Sequence, residues 1–339
     1  MSSMQLPRPP ALNGLHTTEY TFILFKGEIL DEIKKVTGLF DSKFFILSTC
    51  QNNKRLFLKT QNLDGSSIFL KTVENRFLDQ YIKSDQITLN LADSINIIIK
   101  PISGYPKPLG TTHHIFAYPF YSLSILSNSE IEFFRLGCAL SELHYALKSM
   151  SDFWNVSVKK NSQRRYRKLY ERSFNLKRVS RIGRDIILNA LLDFDRKSLI
   201  QSFDNAQIIH GDLNSGNIGY SKQQSSVFFL DFEDTLCSYL PPEADIAFIL
   251  ERLIFVHPYQ NKRELIKAFF KGYCGNEYNL FKGKHSISFW LSFLNLRSML
   301  LLAEMEANNH QVSATEWTKF DTLFKQSKKF SIELEKHFS

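Results

Sequence analysis

Cysteine is scarce in this sequence, and no two cysteines lie close together in the chain. The four positions are Cys50, Cys138, Cys237 and Cys274. Such spacing excludes a disulfide framework and a zinc knuckle, and it is typical of proteins from a reducing compartment. The first ten residues also lack the apolar stretch of a secretory signal. We therefore expect a cytoplasmic protein.

Long uninterrupted apolar runs are absent as well. The longest apolar stretch, residues 289–305, is broken by Asn295, Arg297 and Glu304. A helix that crosses a bilayer needs about 20 predominantly apolar residues, so we expect no membrane span. With 339 residues, 43% of them hydrophobic, the chain is long enough for two lobes that each bury a core.

Acidic residues are outnumbered, and the imbalance is local. The chain carries 42 Lys and Arg against 34 Asp and Glu, a net charge of +8. Residues 159–184 alone contain eleven of those cations and a single acid, Glu171. A charge run of this kind is either the solvated face of a helix or a contact surface for nucleic acid or another anionic partner. The interleaved Tyr166 and Tyr170 would allow base stacking, and both interpretations stay open.

The hydrophobic pattern changes near residue 121. Before that point, aromatic and β-branched runs separated by turn residues predict strands. These predicted strands are residues 44–48, 55–60, 66–73, 95–102 and 113–121. A helix is predicted over residues 74–83, and helical periodicity dominates beyond residue 127. We therefore predict an α+β fold: a flexible lead (1–16), a small antiparallel β lobe with one helix (17–121) and a mainly helical lobe (122–339).

One pair of segments carries chemistry. An apolar run delivers a polar loop with Asp212 and Asn217, and a second apolar run about ten residues later delivers Asp231. Phosphoryl transfer to a hydroxyl needs one carboxylate to orient the attacking group, and oxygen ligands that hold Mg²⁺ on the phosphates. The residue types and their order fit that chemistry.

These segments resemble the aminoglycoside phosphotransferase and choline kinase superfamily, relatives of the protein kinases. The family's H-G-D-x-x-x-x-N motif matches residues 210–217, and its apolar run ending in D-F-E matches residues 228–233. Its D-[LI]-A helix start matches residues 245–247, and its L-G-x-x-L-x-x-L-H helix matches residues 136–144. The four matches occur in the family's order over more than a hundred residues.

The resemblance implies a bilobal kinase-like fold and a role for particular residues. Asp212 would be the catalytic base, and Asn217 and Asp231 would hold Mg²⁺. Lys71 would contact the ATP phosphates, anchored by Glu74. The remaining implied residues are Ser48 and Asn53, in a loop covering the phosphates, and His210 and Asp245, in structural roles near the site.

The predicted function is therefore ATP- and Mg²⁺-dependent transfer of the γ-phosphoryl group to a hydroxyl of a small molecule. One alternative is an acceptor of the choline or ethanolamine type. The other is a catalytically weak kinase-fold module that binds an anionic partner through residues 159–184. The basic segment argues against a polycationic aminoglycoside as the acceptor.

Overall fold

A computed structural model describes most of the chain. The described residues are 22–26, 29–47, 56–170, 176–194, 206–257, 259–275 and 287–338. Their contacts divide them into two compact units. The first unit comprises the described residues up to Ser127 together with Gly216–Leu236. The second unit comprises the described residues of Asn128–Ser215 and those from Cys237 onward.

The first unit is built on a six-stranded antiparallel sheet. Its strands are β1 (Phe22–Leu24), β2 (Lys43–Leu47), β3 (Phe57–Gln61), β4 (Ile68–Glu74), β5 (Lys107–Leu109) and β6 (His113–Pro119). They lie in the order β1-β2-β3-β4-β6-β5. The β3–β4 turn follows the Asp-Gly signal: Gly65 has φ +81°, and the Asp64 carboxylate accepts hydrogen bonds from the Ser66 amide and hydroxyl. This local chemistry sets the hairpin register.

A helix covers each face of this sheet. Because side chains alternate along a strand, Leu70 and Lys71 of β4 point to opposite faces. Leu70 packs in a core with Ile33 of α1 (Ile29–Thr37). On the other face, the Tyr81 ring of α2 (Leu78–Ala92) lies 5.6 Å from the Phe116 ring. We predicted one helix for this lobe, whereas the structure has two, α1 and α2.

Two sequence expectations in this unit differ from the structure. The predicted helix 74–83 begins later, since Glu74 ends β4 and a 3₁₀ turn, Asn75–Phe77, precedes α2. The predicted strand 95–102 is wrong, because only Ile98 makes a bridge there, in parallel with Phe229. Ile97 and Ile98 are buried and contact Phe229 of the later hairpin, β8 (Ile218–Ser221) and β9 (Ser226–Phe229), whereas Ile102 packs against the core of the sheet.

The second unit is mainly helical. Its described helices are α3 (Glu130–Lys148), α4 (Asp152–Tyr170), α5 (Arg181–Asp193), α6 (Glu243–Ile249), α7 (Lys262–Cys274), α8 (Ile287–Ala307) and α9 (Ala314–Phe338). A π-helical segment, Leu250–Phe255, continues α6. The short strands β7 (Gln207–Ile208) and β10 (Tyr239–Leu240) pair with each other. The α+β class predicted from the sequence is confirmed.

Helix α8 has the length and apolar composition of a membrane-crossing helix. Two thirds of its most apolar stretch is nevertheless buried inside the protein. Asn295 and Arg297 are among its buried residues, and both hydrogen-bond to other parts of the chain. It therefore packs as the core helix of the second unit.

Candidate active site

Lys71 is the buried centre of a charged cluster in the first unit. It lies in β4 with only 8% of its surface exposed. Its Nζ is 2.6 Å from Oε1 of Glu233 and 3.6 Å from Oδ1 of Asp231. The same Nζ lies 4.3 Å from the centre of the Tyr81 ring. The structure thus joins the predicted phosphate ligand Lys71 to the predicted metal ligand Asp231.

The burial of Lys71 and Glu233 shifts the pKa values of both groups. Burial raises the pKa of Glu233 to about 8, the neighbouring Asp231 carboxylate adds to that shift, and Lys71 opposes it. Burial by itself lowers the pKa of Lys71, but the charges of Asp231 and Glu233 outweigh it and the net pKa is raised. Lys71 therefore keeps its positive charge at neutral pH.

Asp231 and Asn217 form the oxygen-donor part of the site. The Leu230 amide, next to Asp231, donates a 2.9 Å hydrogen bond to the Asn217 carbonyl. Asp231 itself has φ +63°, a left-handed conformation that is rare outside glycine. A carboxylate and an amide oxygen are suitable ligands for Mg²⁺, which usually takes one or two protein carboxylates and completes its shell with phosphates and water. The donor set therefore fits this ion.

No dedicated protein cage for a metal is found among the described residues. They contain no group of three or more His, Cys, Asp or Glu side chains that could hold an ion. A site with Asp231 and Asn217 as protein ligands would depend on further oxygens from a nucleotide.

Glu74 and Lys71 are not brought together. The two side chains leave β4 on opposite faces, because three positions separate them. The Glu74 carboxylate instead pairs with Arg76, whose Nε is 3.0 Å away. Ser48 and Asn53, expected to cover the phosphates, lie outside the described residues.

An acid that the sequence analysis missed lies in α2. Oδ1 of Asp85 accepts a 2.8 Å hydrogen bond from the Tyr118 hydroxyl. Burial raises the pKa of Asp85 to about 6, although Tyr118 and the charge of Lys71 both act to lower it. A signal was present in the sequence, since Asp85 follows Tyr81 by four residues and so shares its face of the helix.

The second unit holds the other half of the motif, the loop His210–Gly211–Asp212. Asp245, at the start of α6, is 1% exposed and binds the loop through both carboxylate oxygens. Its Oδ2 accepts from the His210 amide and its Oδ1 from the Gly211 amide, each at 2.8 Å. Two consecutive amides are thus fixed by one side chain.

A buried histidine and a half-buried tyrosine extend the hydrogen-bond chain from Asp245. Nε2 of His144, from α3, lies 3.2 Å from Asp245 Oδ2. The other ring nitrogen, Nδ1, is 2.8 Å from the Tyr273 hydroxyl of α7. Burial raises the pKa of Tyr273, and nearby acids raise it further. The hydroxyl therefore stays protonated and can donate to His144.

Asp212 is the last residue of this loop. Its amide donates a 3.3 Å hydrogen bond to Nδ1 of His210, a fully buried residue. Its carboxylate is half-buried, with Oδ1 shielded from solvent. Asp212 thus lies four residues beyond the short strand β7, on a loop whose backbone is held by buried side chains.

Comparison with known proteins gives a fold and no close relative. No protein-family model and no curated protein sequence matches the chain. Among solved structures, the amicoumacin kinase hAmiN in complex with AMP-PNP, Ca²⁺ and Ami is similar, with a TM-score of 0.58 and 18% identity over 89% of this chain and 93% of that one.

Two other solved structures are similar at the same level. The spectinomycin phosphotransferase APH(9)-Ia, in complex with ADP and spectinomycin, has a TM-score of 0.52 and 15% identity over 87% of this chain and 93% of that one. The Plasmodium vivax ethanolamine kinase also has a TM-score of 0.52 and 15% identity, over 84% of this chain and 82% of that one. The chain therefore has the fold that these kinase and phosphotransferase structures share.

Proposed function

We propose that this protein is a small-molecule kinase that transfers the γ-phosphoryl group of ATP to a hydroxyl of its acceptor, with Mg²⁺ as the metal. The observation that carries the proposal is the contact of the buried Lys71 with Asp231, 3.6 Å apart, beside the Asn217 segment. It puts a permanent cation next to two oxygen ligands suited to Mg²⁺. A nucleotide triphosphate needs both kinds of group.

Each motif residue has a role in this proposal. Lys71 binds the phosphates. Asn217 and Asp231 would hold Mg²⁺, which when bound supplies charge neutralisation to the phosphates. Asp212 orients the acceptor hydroxyl and accepts its proton. Ser48 and Asn53 remain proposed as part of the loop over the phosphates.

Two variants separate the proposed binding and chemical roles. We expect isothermal titration to show Mg²⁺-dependent ATP binding that Asp231→Ala abolishes and Asp212→Asn keeps. In an ADP-release assay with an accepted substrate, Asp212→Asn should lower kcat by about 10²–10⁴-fold, because it removes a positioned general base. An ATP affinity that does not depend on Mg²⁺, or an Asp212→Asn variant with unchanged kcat, would contradict the proposal.

The acceptor class follows from a panel assayed with wild-type protein. The panel contains choline, ethanolamine, other amino alcohols, sugars and aminoglycosides, each with Mg²⁺ and ATP. Turnover confined to choline or ethanolamine would support the choline-type alternative.

Because ATP and free thiols are the normal conditions of the cytoplasm, we place the reaction there.

The described part of the basic segment favours a second activity, the binding of an anionic lipid surface. Helix α4 buries one stripe, Trp154, Val158, Ser162 and Tyr166, at a spacing of four residues. Its solvent face carries two apolar residues followed by three cations at helical spacing: Phe153, Val156, Lys160, Arg164 and Arg167.

This face has the chemistry of a peripheral lipid-binding helix. Phe153 is 73% exposed and Val156 67% exposed, which is unusual for apolar side chains on a helix that packs on its other face. Cations beside exposed apolar groups bind acidic headgroups while the apolar groups enter the interface. The aliphatic Val156 favours lipid over nucleic acid, which is bound by stacking and charge.

Vesicle sedimentation tests this second activity. We expect binding to vesicles of 30% phosphatidylserine in phosphatidylcholine, no binding to pure phosphatidylcholine, and loss of binding in Phe153→Ser/Val156→Ser and in Lys160→Glu/Arg164→Glu. The matched control is Lys83→Glu, an exposed cation of α2. Equal vesicle binding by the wild type and both double variants would overturn the proposed lipid-binding activity. Binding of the wild type to single-stranded RNA but not to vesicles would also overturn it.

A further inference from the structure

The peptide bond that joins Gly211 to Asp212 is held at both ends by buried side chains. The Gly211 carbonyl accepts a 2.8 Å hydrogen bond from Nη1 of Arg297. The Asp212 amide donates to Nδ1 of His210, as described above. With both polar ends bound, the plane of this peptide has one orientation, and the Cα of Asp212, which lies in that plane, is held with it.

The conformation of Gly211 makes this bond informative. Gly211 has φ +81°, in the left-handed region that glycine enters without steric cost. Glycine has the widest choice of backbone conformations, so this peptide is not fixed by its own sterics. Asp245 fixes the amides of His210 and Gly211, but it does not bind the following carbonyl. Arg297 supplies that contact.

Arg297 is otherwise difficult to explain. It lies in α8, one of the most apolar helices of the chain, and is 3% exposed. Removing a guanidinium from water is costly, so a buried arginine is retained where its geometry is used. Leucine or methionine would fill comparable space there without that cost.

We propose that Arg297 is a positioning residue for phosphoryl transfer, which holds the Gly211 carbonyl and thereby aims the Asp212 carboxylate. The role rests on the proposed function. Asp245 of α6 and Arg297 of α8 then bind the loop directly, while His144 of α3 binds Asp245 and Tyr273 of α7 binds His144. A small misplacement of a catalytic group can cost about 10²-fold in rate, so the effect belongs in kcat.

The experiment compares Arg297→Met and Arg297→Lys with Arg252→Met as the matched control. Arg252 is also a largely buried arginine of the second unit, 15% exposed in its side chain, but it pairs with Glu251 and lies beside the rings of Phe248 and Phe320. For each protein we would measure kcat, the KM for the acceptor, the Kd for Mg²⁺-ATP and the Tm.

We expect Arg297→Met to lower kcat by about 10–100-fold with the nucleotide Kd within twofold of wild type. Lysine has a shorter reach and a point charge in place of the planar fork, so Arg297→Lys should recover part of the rate and remain about three- to tenfold slow. Arg252→Met should lower the Tm and leave kcat unchanged. A purely structural role would lower kcat in both methionine variants in proportion to their Tm.

Two outcomes would overturn the positioning role. One is wild-type kcat in Arg297→Met or, if that variant does not fold, wild-type kcat in Arg297→Lys. The other is a loss of kcat in Arg252→Met that equals the loss in Arg297→Met. A wild-type protein that binds no Mg²⁺-ATP and turns over no acceptor would refute the proposed function itself, and the positioning role would fall with it.

Discussion

Three carboxylates of the first unit lie around one buried lysine. The carboxylates of Asp231 and Glu233 contact Lys71 directly. The carboxylate of Asp85, on α2, instead accepts a hydrogen bond from the Tyr118 hydroxyl. A buried carboxylate with one neutral partner is poorly compensated. Asp85 should therefore cost the folded state stability when it ionises.

The stability of the Asp85→Asn variant tests this cost. The pKa of Asp85 is raised from 3.8 to about 6 in the folded protein, so the folded state binds a proton more tightly than the unfolded state. The wild type thus loses stability as the pH rises from about 4 to 6, and the asparagine variant lacks that loss. Above pH 6 we expect Asp85→Asn to be more stable than wild type by about 3 kcal/mol in urea denaturation, since one pKa unit corresponds to about 1.4 kcal/mol.

The control for this measurement is Asp79→Asn on the same helix. Asp79 is an exposed acid that pairs with Lys83, and it should change stability little at any pH. Wild type and Asp85→Asn curves that run parallel between pH 4 and 7 would show that Asp85 is ionised normally.

At the scale of elements, the tightest packing is between α3 and α7. A Cβ at Gly137 would lie 2.0 Å from the Phe269 carbonyl oxygen, and a Cβ at Gly272 would lie 2.0 Å from that of Phe134. The two helices therefore approach backbone to backbone at reciprocal glycines. This approach matters to the site because α3 carries His144 and α7 carries Tyr273.

A single methyl group should separate these helices. We expect Gly137→Ala to lower the free energy of unfolding by about 2–3 kcal/mol, since overpacking against backbone has no side chain to relax. Thermal denaturation followed by circular dichroism measures the effect, and Glu142→Ala, at an exposed site of α3, provides the control. A Gly137→Ala protein with the wild-type Tm would mean that the helices separate at little cost.

At the scale of the whole molecule, the two units have separate cores and different spectroscopic reporters. All three tryptophans, Trp154, Trp290 and Trp317, belong to the second unit. Tryptophan fluorescence therefore reports on that unit, while far-ultraviolet circular dichroism reports on both. Units with their own cores often unfold in separate transitions.

Leu70→Ala tests whether they do. Leu70 is fully buried in the first unit, and truncation at such a site costs about 2–5 kcal/mol. We expect the urea transition seen by circular dichroism to broaden toward lower urea, with the tryptophan midpoint unchanged. Equal shifts of both signals would indicate one cooperative transition for the whole chain.

Local sequence patterns predicted much of the secondary structure and one half of the site chemistry. The β2–β4 hairpins followed from alternation and from turn residues, and both are properties of neighbouring positions. The polar loop with Asp212 also follows from neighbouring residues, because a short apolar run precedes it. The strand expected at 95–102 failed since a buried run of isoleucines fits a strand or an irregular core segment equally well.

Partners across long stretches of sequence were decided by the tertiary structure alone. Lys71 meets Glu233, 162 residues away, and Arg297 meets the carbonyl of Gly211, 86 residues away. Glu74 was predicted as the lysine's partner on sequence proximity, yet the alternation of the strand turns it to the opposite face. The sequence by itself determined the residue types and the local elements. The packing of sheet and helices determined which charged groups lie together. Buried charges must find partners in the protein, because burial removes the water that would otherwise hydrate them.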